Sequence, residues 1–454
     1  MPSWQPQQRR AGVLLHPTSL PSHTFEDAMH WLKFMSETGL SVWQVLPLEP
    51  PQNGLSPYQC NSAFAINPAL LGHPRPLDIT DENFRQFCDE QKFWLDDYAL
   101  FDVLRQGFEN KPWYQWPDVY RLRDQSMLET IKKARGDELI KIEWEQYLLY
   151  SEWKNIHRLA AEKNIQLFGD IPIFVAHDSA DVWANPELFK LDEADMPTVV
   201  AGVPPDYFSE DGQRWGNPHY DWEKMQQTDF EWWINRMQHH FAMFDLVRID
   251  HFRGLTAVWE IDADSETAVN GHWVETPGEE LLAIAQKKLG KLPLIAEDLG
   301  IITEEVTALK QDFVLPGMSV LQFSFDAFED NPHKPQNIGP NTVCYTGTHD
   351  NDTTLGWYQS LDEDTQQFVR QTLHMNDDDD IVECMIAAAF NSAASLAVIP
   401  LQDFLHLDSS ARMNTPGTID HNWEWSFSWE QISETDFKNN IHTKITESNR
   451  LVHV

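Results

Sequence analysis

Eight short, nearly continuous apolar runs recur along the chain. They occupy residues 11–17 (AGVLLHP), 41–48 (SVWQVLPL), 165–172 (IQLFGDIP), 246–252 (LVRIDHF), 293–300 (PLIAEDLG), 319–325 (SVLQFSF), 342–350 (TVCYTGTHD) and 395–405 (SLAVIPLQDFL). Such runs suit strands buried on both faces, as in a parallel sheet. Between several of them the text reads as helix: DAMHWLKFMSETG, FEWWINRMQHHFAMF, GEELLAIAQKKLG, TEEVTALKQDF and IVECMIAAAFNSAAS. Strand alternating with helix eight times predicts an α/β fold, a (β/α)8 TIM barrel. Two intervals are too long for simple crossovers. Residues from about 60 to 160 carry helical text and predict a helical insertion. Residues from about 175 to 230, rich in Pro, Gly and aromatics, predict an ordered, loop-rich insertion of the functional kind. The whole chain, 1–454, is thus expected to be one catalytic barrel bearing two inserted subdomains.

Composition narrows the function. With 454 residues, 42% of them hydrophobic, the chain can bury a large core. A net charge of -38 repels phosphate backbones and anionic lipid, which argues against nucleic-acid and membrane-surface partners. The acid excess serves either solubility or a salt-rich cytoplasm. Four scattered cysteines (Cys60, Cys88, Cys344 and Cys384) form no C-x-x-C pair and suit a reducing cytosol. No signal-peptide segment follows the N-terminus and no run of about 20 apolar residues occurs, so a cytoplasmic, non-membrane protein is expected. Nothing in the patterning specifies an oligomeric state. The 19 Trp can stack on sugar rings, although core packing explains most of them equally well.

In an α/β barrel the site forms at the carboxyl ends of the strands. There the third run ends in Asp170, the fourth in Arg248 and Asp250, the fifth in Glu297 and Asp298, and the seventh in His349 and Asp350. The eighth carries Asp403. Metal binding, glycoside chemistry and structural ion pairing could each explain this rim. The metal explanation is weak, for dense His or Cys partners and an EF-hand loop are missing. No phosphate-binding loop and no G-x-S-x-G elbow is present. Arg248 lies two residues before Asp250 on the same strand face, so it is expected to lower the Asp250 pKa and keep a nucleophile ionised. Glu297 follows an apolar run, where burial would raise its pKa as a general acid needs. His349 and Asp350 could grip substrate hydroxyls. Asp298 and Asp403 are assigned to turns or helix caps.

The segments RIDHFRG, AEDLG and THDN resemble the glycoside hydrolases related to α-amylase. GVLLHPTSLPS (12–22), SPYQCNSAFAINP (56–68), FGDIPIFVAHDSADVWANPELF (168–189) and AGVPPDYFSEDGQRWGNPHYDW (201–222) are similar to the 4-α-glucanotransferases, glycoside hydrolase family 77. The resemblance runs from about residue 12 to 425. It implies transfer of an α-1,4-glucan segment to the 4-hydroxyl of another sugar, with retention and through a covalent glycosyl-enzyme. Maltooligosaccharides and α-1,4-glucans would be the partners, with no organic cofactor and no metal. By motif it implies Asp250 as nucleophile, Glu297 as acid/base and Asp350 as stabiliser of the transition state. Arg248, His349, Tyr58 and Asp170 would hold the sugar on the cleaved side, Tyr58 by stacking and Asp170 by binding hydroxyls. Trp215, Ser56, Asn414 and Asp326 would be further glucan contacts. A lid containing PPDYFSEDGQRWG would exclude water and favour transfer. An amylase-like hydrolase and a non-catalytic glucan-binding barrel are the alternatives. NWEW places Glu424 where the family carries a basic residue, and the chain end is compressed. Both bear on acceptor preference and chain-length range.

Overall fold

The computed structural model describes residues 8–52, 54–205 and 210–452. Its central sheet has eight strands: β1 (Arg10–Leu14), β2 (Val42–Gln44), β3 (Gln166–Ile171), β4 (Leu246–Ile249), β5 (Leu294–Ala296), β6 (Gly317–Val320), β7 (Thr342–Tyr345) and β8 (Leu396–Pro400). Each of the eight apolar runs contains or overlaps one of them. The order is β6-β7-β8-β1-β2-β3-β4-β5, with every neighbouring pair parallel. This is a (β/α)8 barrel with one unlaced seam, between β5 and β6. At the seam Ala296 N–H donates to the Pro316 carbonyl at 2.8 Å. Just beyond, Met318 N–H donates to Asp298 Oδ1 at 2.7 Å instead of to a strand carbonyl.

Successive strand residues point to opposite faces. One set fills the barrel interior: Leu14, Val42, Phe168, Leu246, Ile295, Met318, Val320, Val343, Tyr345, Leu396 and Val398. The other set, with Ala11, Val13, Trp43, Leu167 and Val247, packs outward on the helices. The inward row dictates where the charges go. Two residues beyond Phe168 stands Asp170, two beyond Leu246 stands Arg248, and two beyond Ile295 stands Glu297. The charged rim is the top layer of the interior. On the outward face Gly169 is required, because a Cβ there would lie 2.4 Å from the Phe244 ring.

Two long helices, α1 (Glu82–Gly107) and α2 (Gly136–Glu162), occupy the interval expected to be helical. They brace the segment after β2. Gln146 of α2 hydrogen-bonds both the N–H and the carbonyl of Ile66, at 2.8 and 2.9 Å. Tyr150 donates to the Phe64 carbonyl at 2.6 Å. The interval 175–230 differs from a loop-rich expectation. It supplies strands Val199–Val203 and Gln213–Pro218, which join Ala257–Asp262 and Gly271–Glu275 in a four-stranded antiparallel side sheet. These strands are short, carry Gly and Pro and lack a clean apolar alternation, so their text resembles a loop. Residues 206–209 of the expected lid lie outside the described residues.

Candidate active site

Asp170, at the top of β3, is fully buried and meets Arg248 from β4 in a two-pronged ion pair. Arg248 Nε donates to Asp170 Oδ1 at 2.8 Å and Nη2 to Oδ2 at 2.6 Å. The same Nη2 reaches the Tyr58 hydroxyl at 2.9 Å and Asp250 Oδ1 at 3.0 Å. The Tyr58 hydroxyl donates to Asp170 Oδ2 at 2.7 Å. A buried cation with this many acceptors stays charged, and its neighbours raise it well above the ordinary Arg range against the pull of burial. Asp170 was expected to bind sugar hydroxyls. Both its oxygens are taken and its side chain has no exposed surface, so it lies beneath the site and fixes Arg248 and Tyr58.

Asp250 stands one residue past β4. His251 follows in the left-handed region, with φ 53°, and this turns the chain so that its N–H donates to Glu297 Oε2 at 2.7 Å. Leu299 N–H reaches Glu297 Oε1 at 3.1 Å, and Phe252 N–H the Glu297 carbonyl at 3.1 Å. The ends of β4 and β5 are thereby stitched together. Burial pushes the Glu297 carboxyl up to about 7, opposed by Arg248 and by those amides. Asp250 departs from the expectation that Arg248 would set it low. Burial, with the charges of Asp170, Glu297 and Asp350, pushes it well above the ordinary carboxylate range, and Arg248 only offsets this.

Across the cleft, Asp350 Oδ1 accepts from Asn414 Nδ2 at 2.6 Å and lies 3.4 Å from His349 Nε2. Burial lowers His349 against the pull of Asp350, which favours the neutral imidazole in that contact. The Tyr58 and His349 rings stack at 5.3 Å. Ser56 Oγ accepts from Tyr58 N–H at 3.3 Å. Trp215 packs edge-on against His251 at 5.0 Å, and Gln59 ties its strand to the Tyr58 loop through Asn217 at 3.0 Å. Asp326 stands apart. It is bound to Asn331 and Lys334 of its own loop and, among the described residues, touches none of the other candidates. Asp298 pairs with Lys310, and Asp403 accepts from Thr346 and Thr354, so both are structural.

Sequence reasoning missed two residues of this wall. Trp423 packs on both Tyr58 and His349, at 6.0 and 5.8 Å, from a strained backbone with φ 67°. Arg412 donates to the Asp350 carbonyl at 2.6 Å. Trp423 stands beside Glu424 in NWEW, the segment already singled out. Glu424 itself is exposed.

Among the described residues no group of three or more His, Cys, Asp or Glu side chains is placed to hold a metal ion. No helix among them is long and apolar enough to cross a membrane.

A family model described as 4-alpha-glucanotransferase matches residues 15–75 and 72–432. A 4-alpha-glucanotransferase of Synechocystis sp. is 41% identical, over 94% of this chain and 95% of the relative. One from Thermus thermophilus is 43% identical, over 92% of this chain and 94% of the relative. Among solved structures, an amylomaltase from Streptococcus agalactiae in complex with acarbose superposes with a TM-score of 0.93 at 33% identity. That match covers 98% of this chain and all of the other.

Proposed function

The chain belongs to the 4-alpha-glucanotransferase family, and from that premise we propose how its residues divide the transfer of an α-1,4-glucan segment. Asp250 attacks the anomeric carbon. The bond to the departing 4-oxygen breaks, and Glu297 gives that oxygen its proton. The resulting glycosyl ester on Asp250 holds the non-reducing segment. The 4-hydroxyl of an acceptor sugar then attacks the same carbon, its proton passes to Glu297, and Asp250 leaves as the carboxylate. Two inversions give retention.

One observation carries this assignment: Arg248 touches Asp250 at 3.0 Å while Glu297 is pushed up to about 7. Both acids are raised by burial, but the guanidinium contacts Asp250 directly, so the charge belongs on Asp250 and the proton on Glu297. Arg248 holds Oδ1, and Oδ2 makes no hydrogen bond among the described residues and is the attacking oxygen. Asp350, held by Asn414 and His349, stabilises the oxocarbenium-like transition state and grips hydroxyls. Tyr58 and Trp215 supply stacking faces, and Ser56 orders the Tyr58 loop. Asp170 acts through Arg248 and Tyr58. Asp326 is a peripheral glucan contact. Maltooligosaccharides serve as donors and acceptors, and the four free thiols suit a cytoplasmic setting.

Incubation of the protein with maltotriose alone tests the proposal. Free glucose together with a ladder of longer maltooligosaccharides is the expected product pattern. Products that are exclusively shorter than the substrate would replace transfer by hydrolysis at the same carboxylates.

A further inference from the structure

RIDHFRG contains one cation that the mechanism leaves unused, Arg253. It sits in the turn Phe252–Leu255, three residues past Asp250, and its residue surface is only 8% exposed. Its Nη1 donates to the carbonyl of Ile301, four residues past Glu297. Its guanidinium carbon lies 3.7 Å from the centroid of Trp273. Trp273 belongs to the side-sheet strand Gly271–Glu275 and meets the Trp259 ring at 5.2 Å. The carboxylate of Glu305 attracts Arg253 from beyond ion-pair distance, and no direct ion pair is formed with it among the described residues. This planar cation is therefore held by an indole face and a backbone carbonyl, a geometry suited to guanidinium and poorly suited to an ammonium group.

The two segments that Arg253 joins are the ones that carry the reacting acids. Inside the tie, His251 and Phe252 N–H groups bind the Glu297 carboxylate and carbonyl. The segment beyond Glu297 includes Gly300, with φ +82°, and Ile301, whose side chain is largely exposed. The Arg253 contact is the side-chain tie between that segment and the nucleophile's turn, added to the inner hydrogen bonds and to the packing of Ile302 on the core that includes Phe252 and Leu255.

We propose that Arg253, capped by Trp273, is a positioning residue for the acid/base: it fastens the loop after Glu297 to the turn after Asp250 and so sets the proton donor against the leaving oxygen. This rests on the assignment of Glu297 as acid/base. It gives the side sheet a part in proton transfer, exerted through Arg253 and away from the glucan.

Leaving-group dependence tests it. Cleavage of maltotriose needs a proton on the departing sugar oxygen, whereas α-maltosyl fluoride releases fluoride without one. Because Glu297 also serves as base in the later transfer to an acceptor, the rates compared are those of the bond-breaking step, read as first-turnover release of the leaving group. Arg253→Met, which keeps the stem and removes the fork, is expected to lose at least about tenfold more of its first-turnover rate on maltotriose than on the fluoride, within the range of a general-acid contribution. Arg253→Lys should behave in the same direction because an ammonium cannot bridge both partners, and Trp273→Leu should do so to a smaller degree. Glu297→Gln serves as the reference. If Glu297→Gln shows the leaving-group dependence while Arg253→Met and Trp273→Leu lose equally on both substrates, the positioning role is overturned. If Glu297→Gln itself loses equally on both, the failure lies in the acid/base assignment.

Discussion

Replacing Asp170 by asparagine separates the two charges that Arg248 serves. Asp170 Oδ2 and Asp250 Oδ1 lie 2.6 and 3.0 Å from the same Arg248 Nη2, so the two oxygens are at most about 5.6 Å apart. Two like charges at that separation repel by about 3 kcal/mol at an effective dielectric of about 20, equivalent to about two pH units. The Asp250 side chain is 32% exposed, and solvent screening reduces the expected effect to between about one and two units. The sign is fixed by charge: a neutral amide in place of the Asp170 carboxylate no longer opposes ionisation of Asp250, and Arg248 turns its full charge on Asp250. The acid limb of kcat/KM, which reports the free enzyme's essential base, should move to lower pH in Asp170→Asn. Maximal turnover should fall as well, because Tyr58 and Arg248 lose their shared anchor. The assay is glucose release from maltotriose between about pH 4 and pH 9, with protein recovery and folding checked by circular dichroism. An acid limb that stays in place or moves upward would show that Asp250 does not ionise under the influence of this pair.

In the unaltered protein, activity should decline as pH rises through about 7, where Glu297 loses the proton it must donate; a flat profile to about pH 9 would contradict this. Asn414→Ala removes the 2.6 Å donor to Asp350, a hydrogen bond to a charged group worth about 1.5–3 kcal/mol. A loss of about 10- to 100-fold in kcat/KM is expected, and unchanged kinetics would remove Asn414 from the site. Shortening the connection between Val199–Val203 and Gln213–Pro218 should raise the share of hydrolysis, measured as reducing ends formed per transfer; unchanged partitioning would show that this segment does not exclude water.

The barrel was legible because its physics is repetitive. Strands covered on both faces must be apolar throughout, so eight apolar runs announced eight strands, and charge at their ends marked the rim. Arg248 and Asp250 share a face for the elementary reason that strand side chains alternate. The side sheet was hidden because strands such as QRWGNP and GHWVE are short, partly exposed and interrupted by Gly or Pro. Trp423 and Arg412 were hidden for another reason: they come from the loop after β8, and only the closed barrel carries that loop round to Tyr58 and Asp350. The raised Asp250 carboxyl needs three dimensions as well. The text shows its cation two residues away, but not the burial and the three other carboxylates that outweigh it.

The unlaced seam of the barrel gives the two acids different mechanical supports. Asp250 rises from β4, which is hydrogen-bonded to strands on both sides. Glu297 rises from β5, which has a ladder on one side only and, among the described residues, is joined to the β6 segment by the Ala296–Pro316 main-chain bond and the Asp298 carboxylate. Over one catalytic cycle the nucleophile must return to the same spot, while the proton carrier must serve first a departing oxygen and then an arriving one. Both oxygens stand at the same place, on the face of the sugar opposite Asp250, so the less tightly laced strand lies under the group that exchanges protons and the doubly laced strand under the group that bonds to carbon. Amide hydrogen exchange should be faster at the β5–β6 junction than in β3 and β4.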